Sequence, residues 1–140
     1  MFTKLTPNIM VKDVNAAVEF YTGVLGFDFG MGVLSADNSI VQEYSKTGTL
    51  TFATINQNGI EIMIELEKSF LEDSPQFKQK QVGASVSFYF ETKGLDELYG
   101  KIKEKITIVK DMFVTWYGMK EFYILDNNGY VLGFAEATNG

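Results

Sequence analysis

One apolar stripe occurs twice in this chain. Val14, Ala17, Val18 and Tyr21 reappear 81 positions later as Leu95, Leu98, Tyr99 and Ile102, and Leu25 falls on Ile106. Spacings of three and four residues mark one face of a helix. Asp13 stands before the first stripe as an N-cap, which predicts a helix to about Leu25 with Gly26 at its C′ position. A second helix is predicted from Leu95 to about Lys105. The strand-like residues before each helix obey the same shift, Ile9 matching Phe90 and Thr6 matching Ser87. An internal repeat fixes architecture before anything else does, because both copies must fold alike.

Each helix is followed by three strand-like segments. In the first half they are about Phe27–Val33, Leu50–Asn56 and Gly59–Glu67; in the second, about Ile106–Phe113, Met119–Leu125 and Tyr130–Glu136. "NQNG" at 56–59 and "DNNG" at 126–129 are turn signals before the last strand of each half. Asn38 and Asn58 read as loop and turn residues. Both halves therefore read strand–helix–strand–strand–strand, an α+β class. The expectation is one domain over 1–140, with module one at about 3–67, a polar connector at 68–82 and module two at about 83–137.

Alternation assigns the strand faces. Ile60, Ile62, Ile64 and Leu66 oppose Glu61, Met63, Glu65 and Glu67. Val86, Phe88 and Phe90 oppose Ser85, Ser87, Tyr89 and Glu91. Leu5, Pro7, Ile9 and Val11 oppose Thr6, Asn8 and Met10. Tyr130, Leu132 and Phe134 oppose Val131, Gly133 and Ala135. The greasier set of each strand should pack under a helix. The mixed set, with its small hydroxyls and a mid-strand glycine, suits the lining of a cavity. Met10, Met63 and Tyr89 would share its floor. Phe113, Trp116 and Tyr117 stand close together in "DMFVTWYGM" and suit a pocket wall, although one or two could simply close the core.

Composition narrows the chemistry. The sequence has no cysteine, histidine or arginine; its 12 basic residues are all lysine, and its net charge is −6. There is no thiolate nucleophile and no thiolate metal site. The usual neutral-pH proton carrier and commonest metal ligand is missing. An acidic chain is poorly suited to nucleic acid, whose affinity depends on basic contacts to phosphate. No apolar run approaches the roughly 20 residues needed to span a bilayer, so the expectation is a cytoplasmic protein without nucleic-acid or membrane partners.

"VKDVNAAVEFYTGVLGFDF", most specifically its "FYTGVLGF", resembles the first helix of the vicinal oxygen chelate superfamily, which holds glyoxalases, bleomycin resistance proteins and extradiol dioxygenases. "SFYFETKGLDELYGKI" is similar to the matching strand and helix of the second half. "DNNGYVLGF" resembles the closing turn and strand, with Asn127 in place of the usual proline. The resemblance implies two βαβββ modules forming a curled mixed sheet around a cleft. It assigns the helix cap to Asp13, beside Lys12. In metal-dependent relatives four side chains, typically histidine and glutamate, hold a divalent ion. Carried over by motif position, they fall on Thr6, Met63, Ser87 and Gly133; a slip of two would bring Glu61 or Glu65 to the second place. Such a set lacks the several oxygen or imidazole donors a hard ion needs.

The leading expectation is metal-free, cofactor-free binding of a small organic ligand, cationic or aromatic, in the cleft between the modules. This is the sequestration typical of bleomycin resistance proteins, with antibiotic resistance as its setting and a homodimer as the family's habit. The ligand-binding candidates are Thr6, Asn8, Met63, Ser87, Tyr89, Phe113, Trp116, Tyr117 and Gly133. The alternative is a glyoxalase-like lyase or isomerase, or a dioxygenase-like enzyme, with relocated metal ligands or with Glu61 or Glu65 as the catalytic carboxylate. Glu91, near a strand end, reads as solvated. A third reading is a sensor or subunit without catalysis.

Overall fold

The computed structural model describes residues 1–138; the last two positions of the expected domain, 139 and 140, lie outside the described residues. The chain divides into two compact units, residues 1–82 and residues 83 onward. The first contains β1 (Asn8–Val11), α1 (Val14–Gly23), β2 (Asp28–Leu34), β3 (Ile40–Val41), β4 (Leu50–Gln57), β5 (Ile60–Leu66) and α2 (Glu67–Asp73), with a 3-10 turn at Pro75–Phe77. The second contains β6 (Ser87–Glu91), α3 (Leu95–Ile102), β7 (Thr107–Val114), β8 (Met119–Leu125) and β9 (Val131–Ala137). The first sheet runs β1-β5-β4-β2-β3 and the second β6-β9-β8-β7. Without the two-residue β3, the two orders are the same.

The repeat is visible in this order. β1 is parallel to β5, and β6 is parallel to β9. A first strand that must lie parallel to a later one needs a crossover, and α1 or α3 begins it. Asp13 caps α1 by accepting from the Ala16 N–H at 3.0 Å. The regular helix stops at Gly23. The chain then closes through Gly26, at φ +77°, with the Phe27 N–H donating to the Tyr21 carbonyl at 2.9 Å, which satisfies one of the carbonyls that a helix end leaves open. α3 starts differently. Gly94 has no capping side chain, and the N–H groups of Gly94 and Leu95 donate instead to the Glu136 carboxylate on β9, both at 3.1 Å.

Each unit has its own core on the predicted strand faces. In the first, Val14, Ala17, Val18 and Tyr21 of α1 are buried, as are Ile9, Val11, Ala53, Ile55, Ile62 and Ile64. In the second, Leu95 and Ile102 are buried with Phe122, Ile124, Leu132 and Phe134. Tyr99 meets Phe122 edge-on at 5.1 Å, and Phe90 stacks on Phe134 at 5.2 Å. The last-strand turns form as their residues dictate. Asn58 (φ +53°) and Gly59 (φ +86°) make the two-residue loop between β4 and β5, and such a loop requires left-handed backbone at both positions. Asp126 accepts from the N–H groups of Asn128 and Tyr130 to shape the other turn.

Three elements differ from the sequence reading. The polar stretch expected to be a plain connector contains α2 and the 3-10 turn, tied by an edge-on contact of Phe70 with Phe77 at 5.3 Å. α2 buries no residue, so it has no apolar stripe for periodicity to detect. β3 is too short to show alternation. α3 ends at Ile102, and a single turn bond from the Lys105 N–H to the Ile102 carbonyl follows. No helix among the described residues is long and apolar enough to cross a membrane.

Candidate functional site

The non-core face of the second sheet is built in rows across the strands. Register places Tyr89, Gly133, Tyr123 and Lys110 in one row, and Glu91, Ala135, Glu121 and Phe113 in the next. β7 joins both rows through two register irregularities, between Ile108 and Lys110 and between Lys110 and Phe113. Extra residues of this kind re-aim side chains.

Glu121 lies at the centre and is 1% exposed. A buried carboxylate needs hydrogen bonds to offset its lost hydration. Three phenols supply them. Tyr89 and Tyr117 donate to Oε2, the latter at 3.0 Å, and Tyr123 donates to Oε1 at 3.1 Å. The bond to Glu121 is the main cause holding the Tyr89 and Tyr117 phenols above their ordinary pKa. Tyr123 is raised mainly by burial, and then by the same carboxylate. All three hydroxyls therefore keep their protons at neutral pH.

Beside this network is an open concavity of about 600 Å³, with Phe113, Trp116, Tyr117, Glu121, Tyr123 and Lys110 among its lining residues. Phe113 stacks on Tyr123 at 6.4 Å, and Trp116 meets Tyr117 edge-on at 5.2 Å. Trp116 is 95% exposed. It sits in the β7–β8 turn, which is closed by the Thr115 N–H donating to the Met119 carbonyl at 2.7 Å. The Lys110 ammonium lies 4.1 Å from the Phe113 ring centroid, within cation–π range.

The structure thus brings Phe113, Trp116 and Tyr117 together, with Tyr89 bound to the same carboxylate. Gly133 lies beneath the Tyr123 ring: a methyl there would come within 2.8 Å of Tyr123 Cδ2. The space that the glycine leaves is occupied by a neighbour's side chain, not left open. Ser87 is exposed on β6, opposite Val131. Thr6, Asn8 and Met63 belong to the first unit. There Thr6 precedes β1 and Asn8 pairs with Met63. Glu61 pairs with Lys4 at 2.7 Å. Glu65 is 7% exposed, accepting from Asn8 Nδ2 at 2.9 Å and from Ser69 Oγ at 2.6 Å; it ties β1, β5 and α2 together. Glu91 is exposed.

Sequence reading missed Glu121, Tyr123 and Lys110. A signal for the first two existed, since alternation through "MKEFYIL" sets Glu121 and Tyr123 opposite Phe122 and Ile124. Nothing announced Lys110, because the irregularities in β7 put it on this face.

The residues present do not fit the divalent ion that the resemblance implies. Thr6, Met63, Ser87 and Gly133 offer no carboxylate or imidazole, and of the alternatives Glu61 pairs with Lys4 while Glu65 accepts from Asn8 and Ser69. Among the described residues no three acidic, histidine or cysteine side chains gather as a metal site.

No curated protein matches the sequence. Solved structures of the same fold include a protein of unknown function from Agrobacterium tumefaciens (17% identity, TM-score 0.73, covering 98% of this chain and 95% of that one). Another is a glyoxalase/bleomycin resistance protein/dioxygenase from Nocardioides (16% identity, TM-score 0.73, covering 100% and 86%). A third is the bleomycin-binding protein of Streptomyces verticillus, in complex with copper(II)-bleomycin (19% identity, TM-score 0.58, covering 96% and 95%). The family model that matches residues 5–134 shows that this chain belongs to the glyoxalase/bleomycin resistance protein/dioxygenase superfamily.

Proposed function

We propose that the protein binds a small organic ligand, aromatic or cationic in character, without a metal, and holds it rather than transforming it. One observation carries this reading: a ring-walled concavity whose only lining carboxylate among the described residues, Glu121, already accepts from three phenols. Three of its roughly four acceptor sites are taken by phenols, which commits this carboxylate to the wall of the concavity. Its part is to hold Tyr89, Tyr117 and Tyr123 in place, so that the wall is preformed. Preformed apolar walls with a few fixed polar groups are typical of ligand sites. The likeness to a bleomycin-binding protein supports binding as the activity. Antibiotic sequestration, a homodimeric assembly and a cytoplasmic setting belong to the same proposal.

A thermal-shift screen tests it, with planar drugs, aromatic metabolites and divalent metals as separate arms. A ligand held at one hundred times its Kd should stabilise the protein by about 2.7 kcal/mol. The reading expects organic ligands to raise the midpoint and a chelator to leave that rise intact. A rise that needs Zn²⁺ or Ni²⁺ and disappears with chelator would overturn it.

A further inference from the structure

We infer that the ligand of this concavity is an aromatic acid whose ring carries an O–H or N–H donor, and that Lys110 is the residue selecting the acid. This rests on the binding reading above and settles the sign of the ligand's charge.

The first argument is a count of protons. A phenol has one O–H. Tyr117 and Tyr123 both line the concavity and both give that proton to Glu121. Towards a ligand their oxygens can therefore only accept. A ring laid over the half-buried Tyr123 without a donor would leave its oxygen unpaired, which costs binding energy.

The second argument is where free charge remains. The Glu121 carboxylate is buried and already accepts from three phenols, so a ligand cation would have to compete with them for it. The Phe113 face that would greet a cation is already covered by the Lys110 ammonium. Lys110 has no ion pair with a carboxylate among the described residues, whereas Lys4, Lys101 and Lys120 each have one. The site thus offers a hydrogen-bond-accepting floor and an unspent positive charge on its wall. A hydroxyaryl or aminoaryl carboxylate complements both.

Trp116 is the chain's single tryptophan and lines the site, so its fluorescence reports binding directly. Four probes separate the requirements: para-hydroxybenzoate, benzoate, para-hydroxybenzyl alcohol and tyramine. We expect para-hydroxybenzoate to bind saturably and about tenfold more tightly than benzoate, the difference a charge-assisted or buried hydrogen bond makes. Lys110→Gln should weaken para-hydroxybenzoate about fivefold, the scale of a partly exposed ion pair, and leave para-hydroxybenzyl alcohol unchanged. Tighter binding of tyramine than of the acid, or an unchanged acid affinity in Lys110→Gln, would overturn the inference while leaving the binding reading standing. A flat Trp116 signal with all four probes, together with no stabilisation in the wider ligand screen, would remove both.

Discussion

Gly133 lies between Tyr89 and Tyr123 in the sheet register, and the Tyr123 ring covers it. Adding one methyl there forces the ring to move, and overpacking of this kind costs about 1–3 kcal/mol. Gly133→Ala should therefore lower the denaturation midpoint, measured by urea unfolding, and weaken Tyr123's hold on Glu121. Glu121→Gln should cost about 2 kcal/mol by the same assay, since an amide cannot accept from all three phenols. The phenols also set an alkaline limit. Tyr89, Tyr117 and Tyr123 have raised pKa values when folded, and burial lifts Tyr44 to about 12. Between the unfolded value of about 10 and the folded values, the unfolded chain has released protons that the folded one retains. Stability is then full below pH 10 and falls as pH rises through the folded values. Ultraviolet titration of phenolate should show delayed ionisation, and Glu121→Gln should bring Tyr89 and Tyr117 back toward the ordinary range, move Tyr123 less because burial is its main cause, and leave Tyr44 in place. At this scale the sequence was legible where alternation is strict, as for the buried Ile62 and Ile64. It was opaque at Lys110, whose direction depends on irregular pairing in β7.

Helices, strands and turns were mostly open to reading because each carries a local cause. Asp13, Gly26 and the Asn58–Gly59 pair all act through their own backbone or first-turn neighbours. The start of α3 could not be foreseen in the same way. Its cap is Glu136, more than 40 positions away in sequence, and only the parallel pairing of β6 with β9 brings it there. Glu136→Ala should cost about 1 kcal/mol, the usual worth of a cap reinforced by the helix dipole, seen as a lower unfolding midpoint with α3 amides exchanging faster. α2 escaped notice for the opposite reason. It buries nothing, so no hydrophobic period marks it.

At the scale of the molecule, the repeat was the most informative feature, since a shift of 81 carries the start of α1 onto the start of α3 and Asn8 onto Tyr89. The two units agree in sheet order and differ in what they carry on the non-core face. The first holds its buried acid on the last strand, at Glu65, while the second holds it on the neighbouring strand, at Glu121, across from Ala135. Trp116 stands on the surface of the second unit, so acrylamide should quench its emission almost as freely as it quenches a small indole. The covered glycine in the same unit constrains the route by which this lineage could change. Placing an acidic residue at position 133 would collide with Tyr123 and crowd Glu121 with a second negative charge. An ion site cannot be built from that position directly; the tyrosine would have to shrink first, and that step dismantles the phenol network around Glu121 before it gains anything.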